Sequence, residues 1–180
     1  MLLSELARPT RHELIGRDVE VKELIYNSRK VKNGDVFCCI VGTFADGHKY
    51  AQQAVDAGAA ALVVERKLDI DVPQILVEDT RIAMAEMAAA YYGYPSREMQ
   101  MIGVTGTNGK TSTTYMLKAI AERMGKKVGL IGTIRNMIGD IIIDTERTTP
   151  ESVDLQRILR QMKDEKVDVV IMEVSSHSLD

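Results

Sequence analysis

The sequence contains little of what disulfide-rich, fibrous or disordered proteins contain. Its 180 residues include no tryptophan, four prolines and two cysteines. The cysteines, Cys38 and Cys39, are adjacent, and a disulfide between neighbours would be strained, so we interpret both as core residues in a reducing compartment. Because the two cysteines are adjacent and the three histidines are scattered, the sequence offers no Cys/His metal site. The modest proline and glycine content excludes a collagen-like or low-complexity chain.

The sequence also has no large excess of charge of either sign and no long apolar run. The formal net charge is −3, so no broad cationic surface is available for nucleic acid or for an anionic membrane. No apolar run approaches the roughly 20 residues of a membrane-spanning helix. Glu5 and Arg8 interrupt the N-terminal stretch, which excludes a signal peptide. We therefore expect a cytoplasmic protein with no nucleic acid and no membrane as partner, in which local geometry holds any bound anion.

Apolar segments with strand and helix periodicity alternate along the chain, which predicts an α/β fold. In the first part, strands are predicted at 19–26, 36–41, 60–65 and 74–77, and helices after Asp46-Gly47-His48 and at 80–92. Gly93-Tyr94-Pro95-Ser96 then interrupts the pattern. We predict a small N-terminal α/β domain over residues 1–97 and the beginning of a second, mostly parallel α/β domain over residues 98–180.

The second part repeats the alternation. Strands are predicted at 99–105, 128–131 and 167–174, a hairpin at 136–144, and helices at 111–124 and from Pro150 onward with Thr149 as N-cap. The apolar run at 167–174 is typical of a central parallel strand that is buried on both faces. The predicted core faces of the two helices are Leu117, Ile120, Ala121 and Met124, and Leu155, Ile158, Leu159 and Met162.

A glycine-rich loop between a predicted strand and a predicted helix is the most specific feature. Residues 103–111 read Gly-Val-Thr-Gly-Thr-Asn-Gly-Lys-Thr. Glycines let successive N–H groups point at phosphate oxygens, and the helix N-terminus adds its dipole. Lys110 would reach the β- and γ-phosphates, and Thr111 the bridging Mg²⁺. Val104 stands where the general phosphate-loop pattern has glycine. The loop predicts nucleotide binding; the alternative is an ordinary glycine turn with an exposed lysine.

The last predicted strand ends in polar residues. Glu173 follows the apolar run 169–172, where a carboxylate is costly unless it is paired with a cation or binds a metal. It lies at the carboxyl end of a strand, which is where open α/β sheets bind ligands. Lys110 is the expected neighbouring cation. We interpret Ser175-Ser176-His177 as a strand-end loop, because no third group is evident that would orient a nucleophile and a base.

The loop Thr105–Thr111 resembles the phosphate loop of the Mur ligases, which build the peptide of bacterial cell-wall precursors and whose loop also lacks the first glycine. Asn27 departs from the aspartate that is usual in the family. Further segments agree with the family: Asn27-Ser28-Arg29-Lys30 with Gly34-Asp35-Val36-Phe37, Asp46-Gly47-His48 with Ala57-Gly58-Ala59, Thr148-Thr149-Pro150, and Glu173-Val174-Ser175-Ser176-His177. The last two of these segments most resemble the family member that adds the third peptide residue.

The resemblance implies a role for each matching residue. Lys110 and Glu173 would be catalytic, with Thr111 and Glu173 as Mg²⁺ ligands. The residues implied for ATP are Gly106, Thr107, Asn108, Gly109, Lys110, Thr111 and Ser112. Those implied for the uridine nucleotide are Ser28, Thr43, Phe44 and Ala45, and those for the UDP-muramoyl substrate are Thr148, Thr149 and Ser175. Without the resemblance, Thr149 is a helix cap, and Ser28 with Arg29 is a turn beside a solvated charge.

The resemblance also implies an activity. The family member would use ATP to activate a carboxylate of UDP-N-acetylmuramoyl-L-alanyl-D-glutamate as an acyl phosphate and join it to a diamino acid, meso-diaminopimelate or L-lysine. The family's carbamylated lysine would lie beyond Asp180, so we expect the isolated 180 residues to be inactive. Two alternatives stay open: the sister ligase that adds D-Ala-D-Ala, and a catalytically silent module that binds a nucleotide or UDP-sugar.

Overall fold

The computed structural model describes residues 1–42, 45–143 and 150–175 and divides the chain into two compact units, Met1–Tyr91 and Tyr92–Asp180. The change of unit at Tyr91 comes just before the Gly93–Ser96 break on which the predicted boundary after residue 97 rests. Residues 95–98 form a short 3-10 turn that belongs to the second unit. The family resemblance implies that residues 1–97 bind the UDP-muramoyl substrate and that residues 98–180 begin the ATP-binding domain, and this assignment stays a prediction.

The first unit is a five-stranded sheet with three α-helices. Its strands are β1 (Glu13–Ile15), β2 (Leu24–Ile25), β3 (Val36–Cys38), β4 (Ala61–Val64) and β5 (Gln74–Leu76), and its helices are α1 (Leu3–Ala7), α2 (Ala51–Asp56) and α3 (Thr80–Tyr91). The sheet order is β1-β5-β4-β3-β2, with β2 to β5 parallel and β1 antiparallel to β5. The apolar strands β3 and β4 are fully buried in its centre.

Prediction and structure differ at the start of this unit. The predicted strand at 19–26 is reduced to the two residues of β2, and Glu20 forms only an isolated bridge with Leu2. The apolar and β-branched composition of 19–26 does not alternate cleanly, and only Val21 and Leu24 are buried there. Helix α1 and strand β1 were not predicted, because their sequences lack a strong periodic pattern.

The second unit contains a mixed five-stranded sheet. Its strands are β6 (Gln100–Val104), β7 (Val128–Ile131), β8 (Asn136–Ile138), β9 (Ile141–Ile143) and β10 (Val169–Glu173), and its helices are α4 (Lys110–Arg123) and α5 (Ser152–Asp164). The order is β6-β10-β7-β8-β9, with β10 parallel to both of its neighbours. The predicted central parallel strand and the hairpin around Gly139-Asp140 are confirmed.

The two helices cover opposite faces of β10. Side chains alternate along a strand, so Val169 and Ile171 lie on the face that packs with Leu117 and Ala121 of α4, whereas Val170 packs with the apolar side of α5. By the same alternation, Glu173 lies on the α4 face. The fold therefore directs this carboxylate toward the helix that begins at the phosphate loop.

The predicted core face is right for α5 and half wrong for α4. Ile158, Leu159 and Met162 of α5 are buried, and Leu155 is partly buried. On α4, Ile120 is 57% exposed and Met124 72% exposed. The buried positions there are instead Thr114 and Lys118, because Lys118 extends its ammonium group to Glu122 while its stem is covered.

The N-terminus of α5 also differs from the prediction. Glu151, whose backbone is extended, is the N-cap, so the helix begins at Ser152 and Pro150 precedes the cap. Thr149, the predicted cap, lies outside the described residues.

Candidate functional site

The phosphate loop has the predicted context. Strand β6 ends at Val104, helix α4 begins at Lys110, and the residues between them are exposed. Gly106 has φ +145° and Gly109, the N-cap of α4, has φ +81°. L side chains rarely adopt these values, so the loop needs glycine at both positions. The helix N-terminus and the open loop form a surface that fits an anion.

Lys110 folds back over its own loop. Its ammonium Nζ donates a hydrogen bond of 2.7 Å to the carbonyl oxygen of Gly106. The cation therefore lies over the loop that would hold phosphates. In the described part of the chain it does not form the expected ion pair with Glu173, because the carboxylate is bound by neutral donors instead.

The carboxylate of Glu173 is the centre of the polar cluster. Glu173 is 3% exposed, at the carboxyl end of β10. Its Oε2 accepts hydrogen bonds from the hydroxyl groups of Thr111 at 3.1 Å and Thr133 at 2.9 Å. Its Oε1 accepts the main-chain N–H of Thr133 at 3.2 Å. The donors compensate the burial of the charged group.

Sequence reasoning missed Thr133. The residue follows β7 after Gly132, and the carboxyl ends of the parallel strands β10 and β7 meet at one edge of the sheet. A hydroxyl residue directly after a predicted buried strand was the available signal. Its meaning depended on knowing that β10 lies beside β7.

The cluster fits a magnesium ion that is shared with a nucleotide. No group of three or more His, Cys, Asp or Glu side chains that could hold a metal occurs in the described ranges. Glu173 and Thr111 supply one carboxylate and one hydroxyl within hydrogen-bond distance of each other. Mg²⁺ in nucleotide sites typically takes one or two carboxylates and completes its coordination with phosphates and water. The donor set is thus suited to a metal–nucleotide complex and not to a free cation.

The other predicted substrate residues lie in separate places. Ser28 begins a 3-10 turn (Ser28–Lys30) in the first unit, and its hydroxyl donates to Oε1 of Gln53 at 3.4 Å. Ala45 is exposed in the same unit. Ser175 follows β10 in the second unit and is half-buried. Thr43, Phe44, Thr148 and Thr149 lie outside the described residues.

An ion-pair network stands next to Ala45. Asp46 accepts hydrogen bonds from the main-chain N–H and the ring Nδ1 of His48 and pairs with Arg66 at 2.6 Å. Arg66, followed by the hydrogen bond from the His48 N–H, holds the pKa of Asp46 well below its usual range. The ring Nε2 of His48 accepts the N–H of Glu65 at 3.0 Å, so the ring proton lies on Nδ1, toward Asp46. This network fixes the backbone from Asp46 onward, directly after Ala45.

Comparison with protein-family models decides the family. The model of the Mur ligase family catalytic domain matches residues 20–92, and that of the Mur ligase middle domain matches residues 104–180. The chain belongs to the Mur ligase family. The second matched segment begins at the last residue of β6 and therefore contains the phosphate loop, Thr133 and Glu173.

Several curated relatives that match this Mur ligase chain share one enzyme name. The UDP-N-acetylmuramoyl-L-alanyl-D-glutamate--2,6-diaminopimelate ligase of Clostridium botulinum is 53% identical over 165 residues, which cover 89% of this chain and 34% of that protein. The chain thus spans about a third of the length of the curated relatives that it matches.

Solved structures share the fold. A UDP-N-acetylmuramoyl-L-alanyl-D-glutamate--2,6-diaminopimelate ligase superimposes with a TM-score of 0.79 at 24% identity, over 99% of this chain and 37% of the other. The MurF ligase of Thermotoga maritima, solved in complex with ADP, gives a TM-score of 0.58 at 26% identity, over 89% of this chain and 34% of that one. None of the helices in the described part of the Mur ligase chain has the length and apolar character needed to cross a membrane.

Proposed function

We propose that this chain is part of an ATP-dependent ligase that forms an amide between UDP-N-acetylmuramoyl-L-alanyl-D-glutamate and 2,6-diaminopimelate. The observation that carries the proposal is the 3.1 Å hydrogen bond between Thr111 of the phosphate loop and the buried Glu173 at the end of β10. It brings together a nucleotide loop and a carboxylate, as a metal–ATP site requires. The names of relatives at about 50% identity support the choice of substrates.

In the proposed reaction, the γ-phosphoryl group of ATP passes to the free carboxylate of the UDP-muramoyl dipeptide. The amine of the diamino acid then attacks the acyl phosphate, which gives the amide, ADP and phosphate. Lys110 lies over the loop and would stabilise negative charge on the transferring phosphoryl group. Thr111 and Glu173 would hold Mg²⁺, which neutralises phosphate charge when bound.

The remaining residues are proposed to position the substrate. Ser28 and Ala45, with Thr43 and Phe44 in the segment between Gly42 and Ala45, would contact the uridine nucleotide. Thr148, Thr149 and Ser175 would contact the muramoyl-peptide arm. The gain from such contacts is orientation of the carboxylate for attack on the phosphoryl group.

The first prediction tests the phosphate loop. Lys110→Ala removes the cation from the loop, so ATP turnover in the whole protein that carries this chain should fall by about 10²-fold or more. Phosphate release would be measured with ATP, Mg²⁺, the UDP-muramoyl dipeptide and diaminopimelate. Lys126→Ala is the matched control, because Lys126 is an exposed lysine beyond the opposite end of α4. Unchanged turnover in Lys110→Ala would contradict the proposal.

The same assay distinguishes the alternatives. Replacing diaminopimelate by L-lysine, or the dipeptide substrate and the amine by those of the D-Ala-D-Ala ligase, identifies the sister activities. A wild-type protein that binds ADP but releases no phosphate with any of these substrates would be a silent binding module.

A further inference from the structure

Most of the hydrogen bonds to the Glu173 carboxylate come from one residue. Thr133 supplies two of the three, one from its hydroxyl and one from its main-chain N–H, and each goes to a different carboxylate oxygen. Thr111 supplies the third. The orientation of the carboxylate plane is therefore set mainly by a residue outside the phosphate loop.

Thr133 is itself held in place from the hairpin. The preceding residue, Gly132, donates its N–H to Oδ1 of Asn136 at 3.0 Å, and Asn136 is fully buried as the first residue of β8. This bond fixes the short segment that leads from β7 to β8. The segment between β7 and β8 therefore holds the hydroxyl and the N–H of Thr133 in place.

The same segment packs closely against the carboxylate. A Cβ atom on Gly132 would lie 2.6 Å from Oε1 of Glu173. The main chain of Gly132 therefore packs directly against the carboxylate on one side, while Thr133 and Thr111 donate to it. Addition of a single methyl group at residue 132 must displace the carboxylate, since its oxygen is at the free end of a flexible side chain.

We infer that Thr133, supported by Gly132 and Asn136, is a positioning residue that holds the Glu173 carboxylate in the orientation in which it binds the nucleotide-bound metal. The inference rests on the proposed function and deepens it. The hydroxyl oxygen of Thr111 is itself expected to bind the metal. Thr133 is not expected to bind the metal, so it would keep its hydrogen bonds to Glu173 both before and after the metal binds. Partners that orient a metal ligand are typically worth about 10- to 100-fold in metal affinity.

The test measures metal-dependent nucleotide binding in the whole protein that carries this chain, independently of turnover. A fluorescent ADP analogue would be titrated by anisotropy, with excess EDTA and over a series of Mg²⁺ concentrations. Thr133→Val keeps the N–H and the side-chain shape but removes the hydroxyl. We expect it to raise the Mg²⁺ concentration for half-maximal binding by about 10-fold, with binding in EDTA unchanged. Thr133→Ser should return this value to within about 2-fold of wild type.

Two further variants separate positioning from general damage. Gly132→Ala removes no hydrogen-bond donor, yet it should raise the Mg²⁺ requirement in the same way because it displaces the carboxylate. Thr113→Val, an exposed threonine one turn into α4, is the control for a hydroxyl-to-methyl change and should behave as wild type. Thermal unfolding midpoints of all variants in EDTA would show whether the fold is retained.

Each outcome has one meaning. If Glu173→Gln raises the Mg²⁺ requirement and Thr133→Val and Gly132→Ala do not, the positioning role is wrong and the proposed metal site stands. If Thr133→Val weakens binding equally in EDTA, or lowers the unfolding midpoint without a Mg²⁺-specific effect, its role is structural and the inference is overturned. If wild-type binding does not respond to Mg²⁺, or Lys110→Ala and Glu173→Gln leave it unchanged, the proposed site itself fails and the inference with it.

Discussion

Asp46 shows how one side chain can link the stability of the first unit to pH. Arg66 and His48 both donate to its carboxylate, and its pKa lies well below that of an unfolded chain. The folded state thus binds fewer protons than the unfolded state when the pH approaches 4, the usual pKa of aspartate. The contribution to stability is present above about pH 4 and is lost progressively as the pH falls further.

The resulting prediction concerns Asp46→Asn. Below about pH 4 the unfolding free energy of the wild-type chain should fall with decreasing pH more steeply than that of the variant. Urea unfolding, followed by circular dichroism at several pH values, measures both slopes. Arg66 is more than half exposed, so the difference should shrink in high salt. Asp71→Asn, at an exposed carboxylate, is the control. Equal slopes for wild type and Asp46→Asn would contradict the prediction.

The role of a single residue could be predicted where the sequence around that residue forms a recognisable local pattern. Lys110 and Thr111 follow from the glycine loop, and Glu173 from a carboxylate at the end of an apolar strand. Thr133 was missed because its partner is 40 residues away, across a sheet whose order the sequence does not state. The expected pairing of Glu173 with Lys110 was wrong for the same reason, since neutral donors from β7 and α4 already satisfy the carboxylate.

At the scale of elements, glycines mark where helices and strands end. Gly58 follows the C-cap of α2 with φ +107°, the left-handed backbone that is typical of a C′ glycine. A Cβ atom there would lie 2.9 Å from Cα of Asn33, so the added side chain would clash with main chain that cannot easily move. Gly139, in the β8–β9 turn, has φ +56° and open space around it. The two glycines therefore differ in steric contact while both have positive φ.

We predict that Gly58→Ala destabilises the chain more than Gly139→Ala does. The first substitution adds a clash to an unfavourable φ and should cost on the order of 1–3 kcal/mol of unfolding free energy. The second places alanine in the left-handed region without a clash and should cost about 1 kcal/mol. Chemical denaturation of both variants gives the comparison. If Gly58→Ala lost less unfolding free energy than Gly139→Ala, the turn at Asn33 before β3 would have to move to make room for the added methyl group.

Element positions were more predictable than helix faces. Strands β4 and β7 and helix α3 lie within a residue or two of their predicted ranges. On α4 the apolar residues do not all mark the core, because Thr114 bonds its own helix, to the carbonyl of Thr111, and Lys118 buries its stem. Apolar periodicity assumes that polar residues face solvent, and these two residues satisfy their polar groups locally instead.

At the scale of the whole molecule, the division into two compact units predicts a protease-sensitive junction between them. Gly93-Tyr94 follows α3 with both residues at positive φ, and the 3-10 turn at 95–98 begins at once. Limited proteolysis should therefore cut the chain first near residues 93–97 and leave a stable fragment of the first unit. Mass spectrometry of the products identifies the position. A first cut inside the range 36–65, which contains β3, α2 and β4, would show that the boundary is wrong.

Strand order in the second unit was beyond the reach of the sequence. A βαβ rhythm predicts that β6, β7 and β10 are parallel, but not that the last of them stands between the other two. That arrangement depends on the pairing of β10 with β6 on one side and β7 on the other, which are contacts between residues far apart in the chain. Local patterns carry no information on such pairs.

The central position of β10 has a consequence for synthesis on the ribosome. Of the five strands described in the sheet of the second unit, β10 is synthesised last although it lies between β6 and β7, so a nascent chain that ends before residue 169 contains both β6 and β7 but not the strand that pairs with each of them. Thr111 and Glu173 are separated by 62 residues, and the polar cluster cannot exist until the later one has been added. The first unit is complete by residue 91. During translation, the phosphate loop is therefore synthesised well before the carboxylate that it contacts.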